Sequence, residues 1–155
     1  MTLVYASDHR HGLPLAELKA LIGSKAANLG VMVNELHLPV PPAFTIGTAA
    51  CKAFLAGGWP AELDGQLRAH MARLETLVGR RFGDPADPLM VSVRSGAPVS
   101  MPGMMDTILD LGLNDASVAG LASSSGDATF AADCRARFEA MYRAIVWVDA
   151  VPEDP

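Results

Sequence analysis

Apolar residues recur at three- and four-residue intervals along much of the chain, and this spacing predicts helices. The strongest pattern runs from Ala61 to Val78, where charged side chains separate the apolar positions Leu63, Leu67, Met71, Leu74 and Leu77. The other predicted helices are Pro14–Ile22, Ser24–Leu36, Thr48–Leu55, Val118–Leu121 and Thr129–Val148. We expect Gly23 to end the first of them in a left-handed conformation, and Ser24 and Thr48 to cap the next two.

Short runs rich in β-branched and aromatic residues predict four strands between these helices. They are residues 2–6, Ala43–Ile46, a buried strand Leu89–Val93, and Thr107–Leu111. Glycine and proline make the RRFGDPADP segment a connector and make residues 94–105 a loop. Several helices mixed with a few short strands indicate the α+β class. We predict one domain over residues 1–150 and a disordered tail over 151–155.

Composition narrows the function classes. The chain has 155 residues, of which 50% are hydrophobic, and its net charge is −5. An acidic protein lacks the basic surface that neutralises nucleic-acid phosphates, so we expect no nucleic-acid partner. The sequence shows neither a run of about 20 apolar residues nor a secretory signal, so we expect no membrane partner and a cytoplasmic protein. Cys51 and Cys134 are far apart and are expected to be packed, reduced thiols.

The segment Gly23-Ser24-Lys25 lies at a predicted junction between a loop and a helix. The first amides of a helix have no partner within it, and they lie at the positive end of the helix dipole. A lysine at this place adds a mobile cation that can reach a phosphate. An ordinary helix cap followed by a surface lysine explains the same three residues.

Arg94 stands where a hydrophobic strand gives way to a glycine-containing loop, in the sequence VSVRSG. The forked guanidinium matches the spacing of phosphate oxygens. An arginine paired with a surface carboxylate would produce the same pattern.

The segment SMPGMMDT, residues 100–107, concentrates methionines, proline and glycine in one loop. Glycine allows close approach of the backbone to a ligand, and exposed methionines suit a flat apolar ligand such as a purine. A loop packed onto its own core would explain the composition equally. Asp106 by itself does not make a metal site, and a hydrogen bond to loop backbone is its expected role. His9 and His11 form an HxH pair for which the sequence offers no third metal ligand.

Taken together, these motifs resemble the N-terminal, nucleotide-binding part of pyruvate, phosphate dikinase. That family's pattern runs LLGGKGANL, LPVPPGFTI and RFGDPxxPLLVSVRSGAxxSMPGMMDTxLNLGLND. The corresponding stretches here are LIGSKAANLG (21–30), LPVPPAFTIG (38–47), RFGDPADPLMVSVRSGA (81–97) and SMPGMMDTILDLGLND (100–115). The resemblance implies the N-terminal portion of an ATP-grasp domain, and it covers nearly the whole chain.

In this family, the ATP-grasp domain uses ATP, Mg²⁺ and phosphate to phosphorylate a histidine on a separate domain, and the phosphoryl group then passes to pyruvate. The resemblance implies that Lys25 contacts nucleotide phosphates and that Arg94 stabilises the transferring phosphate as the catalytic residue. It also implies that a loop of Gly103, Met104, Met105, Asp106 and Thr107 covers the phosphates.

Two departures affect these expectations. The family's GGKG is GSKA here, so serine and alanine limit how closely backbone can approach a phosphate. Pro98 follows SGA where the family commonly has a basic residue.

The acidic Mg²⁺ ligands and the phosphohistidine and pyruvate-binding domains of the family have no counterpart in this sequence, so we predict no metal ligands and a catalytically incomplete chain.

The sequence leaves a second hypothesis open. A non-enzymatic module with an idle nucleotide site would self-associate, or would bind a chain that supplies the missing half-domain. The first hypothesis names a nucleotide or phosphate as the partner instead.

Overall fold

The computed structural model describes residues 1–97 and 106–146, which form two compact units. The first contains residues 1–78 together with Gly96 and Ala97, and the second contains residues 79–95 and 106–146. Six helices and short paired strands make up these described parts, which confirms the α+β class.

The first unit pairs two strands and surrounds them with four helices. Strand β1 (Val4–Ala6) runs antiparallel to β2 (Phe44–Ile46), with Val4 opposite Ile46. The helices are α1 (Leu15–Ile22), α2 (Ser24–Asn34), α3 (Thr48–Gly57) and α4 (Leu63–Val78). All four helices were predicted at nearly these positions.

The core of the first unit lies between β1, α3 and α4. Its fully buried members are Leu3, Val4, Ala50 and Leu63. Gln66 of α4 also binds the N-terminal strand: its Oε1 accepts hydrogen bonds from the Leu3 amide at 2.7 Å and the Val4 amide at 3.1 Å. The start of the chain is thereby attached to α4.

The predicted caps Ser24 and Thr48 are both wrong, because a glycine occupies each N-cap position. Gly23 precedes α2 and Gly47 precedes α3, with no side-chain capping bond at either helix. The Thr48 hydroxyl instead donates to the Ala20 carbonyl at 2.9 Å, at the C-terminal end of α1. It therefore satisfies a carbonyl group that the end of α1 leaves without a helical partner.

The second unit contains two small pairs of strands and two helices. Strand β3 (Arg81–Phe82) runs parallel to β4 (Pro88–Leu89), and β5 (Val91–Arg94) runs antiparallel to β6 (Thr107–Leu111). Helices α5 (Asp115–Ser125) and α6 (Ala128–Val146) follow. Their buried core contains Leu113, Leu121, Ala131 and Cys134.

The predicted buried strand Leu89–Val93 is wrong in extent and in burial. Leu89 is buried but belongs to β4, whereas β5 begins at Val91 and leaves 48% of Val93 exposed. A ribbon of only two strands cannot cover both of its faces, which explains the exposure. Cys134 is buried as expected, but Cys51 is exposed, so the prediction of two packed thiols holds for only one of them.

The turn before β4 is fixed by Asp84. Its carboxylate accepts hydrogen bonds from the amides of Ala86 at 2.8 Å and Asp87 at 3.0 Å. These backbone hydrogen bonds lower the pKa of Asp84, because they favour its charged form. The residues predicted as a plain connector therefore form a turn of defined geometry between two short strands.

Asn114 defines the start of α5, which sequence periodicity places only at Val118–Leu121. Its side-chain oxygen accepts from the amides of Ala116 and Ser117, both at 3.0 Å, and the Ser117 hydroxyl accepts from the Asn114 amide at 2.8 Å. This reciprocal capping box adds a turn that apolar spacing alone does not reveal.

We expect Asn114→Ala to lower the free energy of unfolding by about 1–2 kcal/mol, because two helix amides lose their acceptor. Urea denaturation followed by circular dichroism measures the change. Asn114→Ser is the matched control, since serine caps helices about as well as asparagine. Equal losses for the two variants would contradict the capping role.

Candidate functional site

The Gly23–Lys25 segment lies where one helix ends and the next begins. The Gly23 amide donates to the Lys19 carbonyl of α1 at 2.9 Å, and α2 begins at the next residue. Gly23 has φ +84° and ψ +156°, a conformation that is open essentially to glycine alone. Lys25 follows in the first turn of α2, with its side chain exposed. The sequence prediction of a lysine at a loop-to-helix junction is therefore confirmed.

The backbone of Gly96 and Ala97 packs against this junction, within the first unit. The Ser24 amide donates to the Ala97 carbonyl at 2.9 Å. A Cβ atom placed on Gly23 would lie 3.4 Å from the Ala97 nitrogen and 3.6 Å from the Gly96 carbonyl carbon. Two of the motifs that the sequence singled out are thus joined by a backbone hydrogen bond.

This contact changes one expectation. The predicted site uses the first amides of α2 as donors to phosphate, but the Ser24 amide already donates to protein. Lys25, the next residue of α2, is exposed.

Arg94, Asp106 and Thr107 lie together at the ends of β5 and β6, in the second unit. Arg94 is directly opposite Thr107, and the Ser95 amide donates to the Asp106 carbonyl at 3.1 Å. The Arg94 side chain is exposed at the end of its strand. The pairing of β5 with β6 therefore holds Arg94 and Ser95 beside Asp106 and Thr107.

The remaining predicted site residues lie outside the described residues. They are Gly103, Met104 and Met105, within residues 98–105. Pro98 and the predicted tail 151–155 also lie outside them.

Within residues 1–97 and 106–146, no group of three or more His, Cys, Asp or Glu side chains is arranged to hold a metal ion. The Asp106 side chain is exposed. None of the helices in these ranges has both the length and the apolar character needed to span a bilayer.

Sequence reasoning missed the role of Ala97. The VSVRSG motif ends at Gly96, and the longer stretch 81–97 gave Ala97 no role, yet Ala97 is the residue whose carbonyl contacts the start of α2. The available signal was its small size directly after a glycine, which suits close backbone packing. A single sequence does not show which distant segment would be the neighbour.

Comparison with known proteins shows the family to which this chain belongs. The family model described as "Pyruvate phosphate dikinase, AMP/ATP-binding domain" matches residues 19–73, a range that includes Lys25. Pyruvate, phosphate dikinase of Rhizobium meliloti is 53% identical over 133 residues, which is 84% of this chain and 15% of that protein. The chain belongs to the pyruvate, phosphate dikinase family.

Two more relatives show the same relationship. Pyruvate, phosphate dikinase 1, chloroplastic, of rice (Oryza sativa subsp. japonica) is 50% identical over 131 residues, or 83% of this chain and 14% of that protein. The enzyme of Clostridium symbiosum is 47% identical over 133 residues, or 84% of this chain and 15% of that protein. The chain thus spans about one seventh of the length of its dikinase relatives. One of these relatives is named chloroplastic, and the cytoplasmic location expected for this chain stays a prediction.

Proposed function

We infer that this chain is part of the nucleotide-binding domain of a dikinase-type phosphotransferase, and that Lys25 and Arg94 bind the phosphates of ATP. In this proposal residues 1–150 form the beginning of an ATP-grasp domain, and residues Gly103–Thr107 form the loop that covers the phosphates. Asp106 and Thr107 contribute the end of that loop nearest to Arg94.

The observation that carries the proposal is the hydrogen bond between Ser24 and Ala97. It attaches the segment that follows Arg94 in the chain to the turn that precedes Lys25. Only three peptide bonds separate Arg94 from Ala97, and only one separates Ser24 from Lys25. The two cations therefore lie one and three residues along the chain from the two ends of this hydrogen bond.

The two side chains suit complementary parts of a polyphosphate. Lys25 offers a compact ammonium on a flexible stem, and Arg94 offers a planar fork that can bind two oxygens at once. Charge develops on the oxygens of a phosphoryl group as it is transferred, so cations held around it lower the barrier. Arg94 has the catalytic role in this scheme, and Lys25 binds the nucleotide.

Mg²⁺ would neutralise charge on the phosphates when bound. As the resemblance to the family implies, we assign its protein ligands to a part of the dikinase outside this sequence. We likewise assign the phosphohistidine and pyruvate-binding steps of the full reaction to parts of the dikinase outside this sequence. Isolated, the chain is expected to bind nucleotide without turning it over.

Calorimetric titration of the purified chain with ATP and MgCl₂ tests this proposal. We expect saturable binding that Lys25→Ala and Arg94→Ala each weaken about tenfold or more, since a hydrogen bond to a charged group contributes about 1.5–3 kcal/mol. Lys52→Ala and Arg68→Ala are matched controls, because both residues are exposed and belong to α3 and α4, outside the two motifs in sequence.

Two outcomes would contradict the proposal. One is the absence of binding to folded protein, and the other is an equal loss in the target and control variants. Light scattering on the same samples addresses the second hypothesis, since a self-associating module with an idle site gives a dimer mass and no ATP heat.

A further inference from the structure

Three aromatic rings form a cluster beside the end of β1, separate from the residues assigned to nucleotide. The ring centroids of His9 and His11 are 4.5 Å apart, with the rings nearly perpendicular at 84°. The Tyr5 ring lies 5.0 Å from that of His11 and 5.8 Å from that of His9. The SDHRHG segment therefore has a defined arrangement rather than that of an unconstrained loop.

Backbone hydrogen bonds hold this segment in place. The Ser7 amide donates to the Ala43 carbonyl at 2.8 Å, and the His9 amide donates to the Ala6 carbonyl at 3.0 Å. Gly12 has φ +66°, a left-handed conformation that suits glycine and turns the chain after His11. The histidine pair is thus attached at the His9 end, and the chain turns directly after His11.

The cluster forms one side of a cavity of about 220 Å³ in the first unit. His9, Arg10 and His11 contribute polar groups to its lining. Leu18 and Ile22 of α1 and Leu29 of α2 contribute apolar side chains. The cavity is smaller than the range of about 300–1,000 Å³ typical of drug-sized ligands. It therefore suits a ligand smaller than a nucleotide.

The arrangement favours an anion over a metal ion. The His9 and His11 rings pack on one another in a T-shaped arrangement, with their centroids 4.5 Å apart. Arg10 adds a permanent positive charge to the cavity wall, which opposes a cation. In the part of the chain described, no third metal ligand joins the two histidines.

We propose that the cavity between the His9–His11 pair and helices α1 and α2 binds a small organic anion, with a single-ring or similar apolar body against Leu18, Ile22 and Leu29 and its carboxylate or phosphate at His9, Arg10 and His11. None of the residues that line this cavity is assigned to nucleotide. Its ligand class combines one anionic group with one compact apolar body.

The other charged groups around the cavity permit this assignment. The Asp8 carboxylate pairs with Arg73 of α4 at 2.6 Å, so its charge is already balanced. Glu35, at the end of α2, lines the cavity and is exposed to solvent, which screens its repulsion of an anion. Tyr5 contributes ring contacts to both histidines.

Anion binding at this site should strengthen as pH falls. Burial, and then the neighbouring His9, lower the pKa of His11, so its ring is neutral over more of the pH range than an exposed histidine. A bound anion stabilises the protonated form of the His11 ring, so anion binding is coupled to proton uptake. The affinity for the anion is therefore highest at pH values below the ordinary pKa of histidine, and it declines as the pH rises through that pKa.

Nuclear magnetic resonance of the histidine rings in the full 155-residue chain tests the site. The probe is sodium benzoate, compared with benzyl alcohol as a neutral analogue and inorganic phosphate as an anion without an apolar body. We expect saturable shifts of the His9 and His11 signals with benzoate, stronger at pH 5.5 than at pH 7.5. The exposed His37 is the internal reference.

Two variants make the outcome decisive. His11→Gln and Arg10→Gln should each weaken benzoate binding about fivefold or more, and Arg10 is exposed, so its replacement leaves folding intact. His37→Gln should have no effect. Absence of saturable shifts, tighter binding of benzyl alcohol than of benzoate, or unchanged binding in the Arg10 and His11 variants would each overturn the proposal.

Discussion

Gly120→Ala is expected to lower the free energy of unfolding by about 2 kcal/mol or more. Gly120 lies within α5, where the helix packs directly on the turn formed by Pro85 and Ala86. A Cβ atom at this position would lie 2.1 Å from the Pro85 carbonyl oxygen and 2.6 Å from that of Ala86. Both distances are far inside van der Waals contact, so the helix or the turn must move.

The obstructing atoms belong to backbone that is itself held in place. Asp84 accepts hydrogen bonds from the Ala86 and Asp87 amides, so the turn cannot change its shape without losing them. Alanine improves helix propensity by about 1 kcal/mol relative to glycine. A clash this close with backbone lies at or above the upper end of the about 1–3 kcal/mol typical of overpacking, which leaves a net loss of about 2 kcal/mol or more.

Urea denaturation followed by circular dichroism measures the effect, with Gly65→Ala as the matched control. Gly65 is also inside a helix, α4, but a Cβ atom there meets nothing within 4 Å. Its replacement should stabilise the protein by about 0.5–1 kcal/mol. Similar changes for both variants would show that α5 does not pack directly on the turn.

Gly23→Ala is expected to lower both stability and nucleotide affinity. The φ of +84° and ψ of +156° at Gly23 fall in a region where a side chain costs about 1–3 kcal/mol. The nearest atoms to an added Cβ lie 3.4–3.6 Å away, which is ordinary contact, so the cost is one of backbone conformation. Relief of that strain moves the start of α2, and with it Lys25 and the hydrogen bond to Ala97.

Gly58→Ala separates the two effects. Gly58 has a similar conformation, φ +86° and ψ −161°, at the end of α3, with nothing within 4 Å of its Cβ position. We expect comparable losses of stability in the two variants, and a loss of ATP affinity of about fivefold or more in Gly23→Ala alone. Unchanged ATP affinity in folded Gly23→Ala would contradict the positioning role of this turn.

Elements with sustained periodicity were predictable from sequence. Helix α4 and strand β6 occur close to where apolar spacing places them, and the predicted last helix matches α6 to within two residues over the described chain. Elements defined by single hydrogen bonds were not predictable in this way. The start of α5 depends on the Asn114 side chain, and the two-residue strands β3 and β4 are too short to produce a pattern.

The candidate site was predictable as residue types but not as an arrangement. A lysine after a glycine at a helix start, and an arginine at the end of a strand, are local features that sequence spacing reveals. The contact between Ser24 and Ala97 joins segments far apart in the chain, and no local rule specifies it. The same limit explains the exposed face of β5, because burial of a strand depends on neighbours contributed by other elements.

Amide chemical-shift mapping of the isotopically labelled chain with ATP and MgCl₂ tests the central claim most directly. The account predicts that the first and largest changes occur at Ser24 and Lys25 and at Arg94 and Thr107, and that they saturate together with one dissociation constant. Changes confined to other residues, or no saturable change in a folded sample, would contradict a nucleotide site built on Lys25 and Arg94.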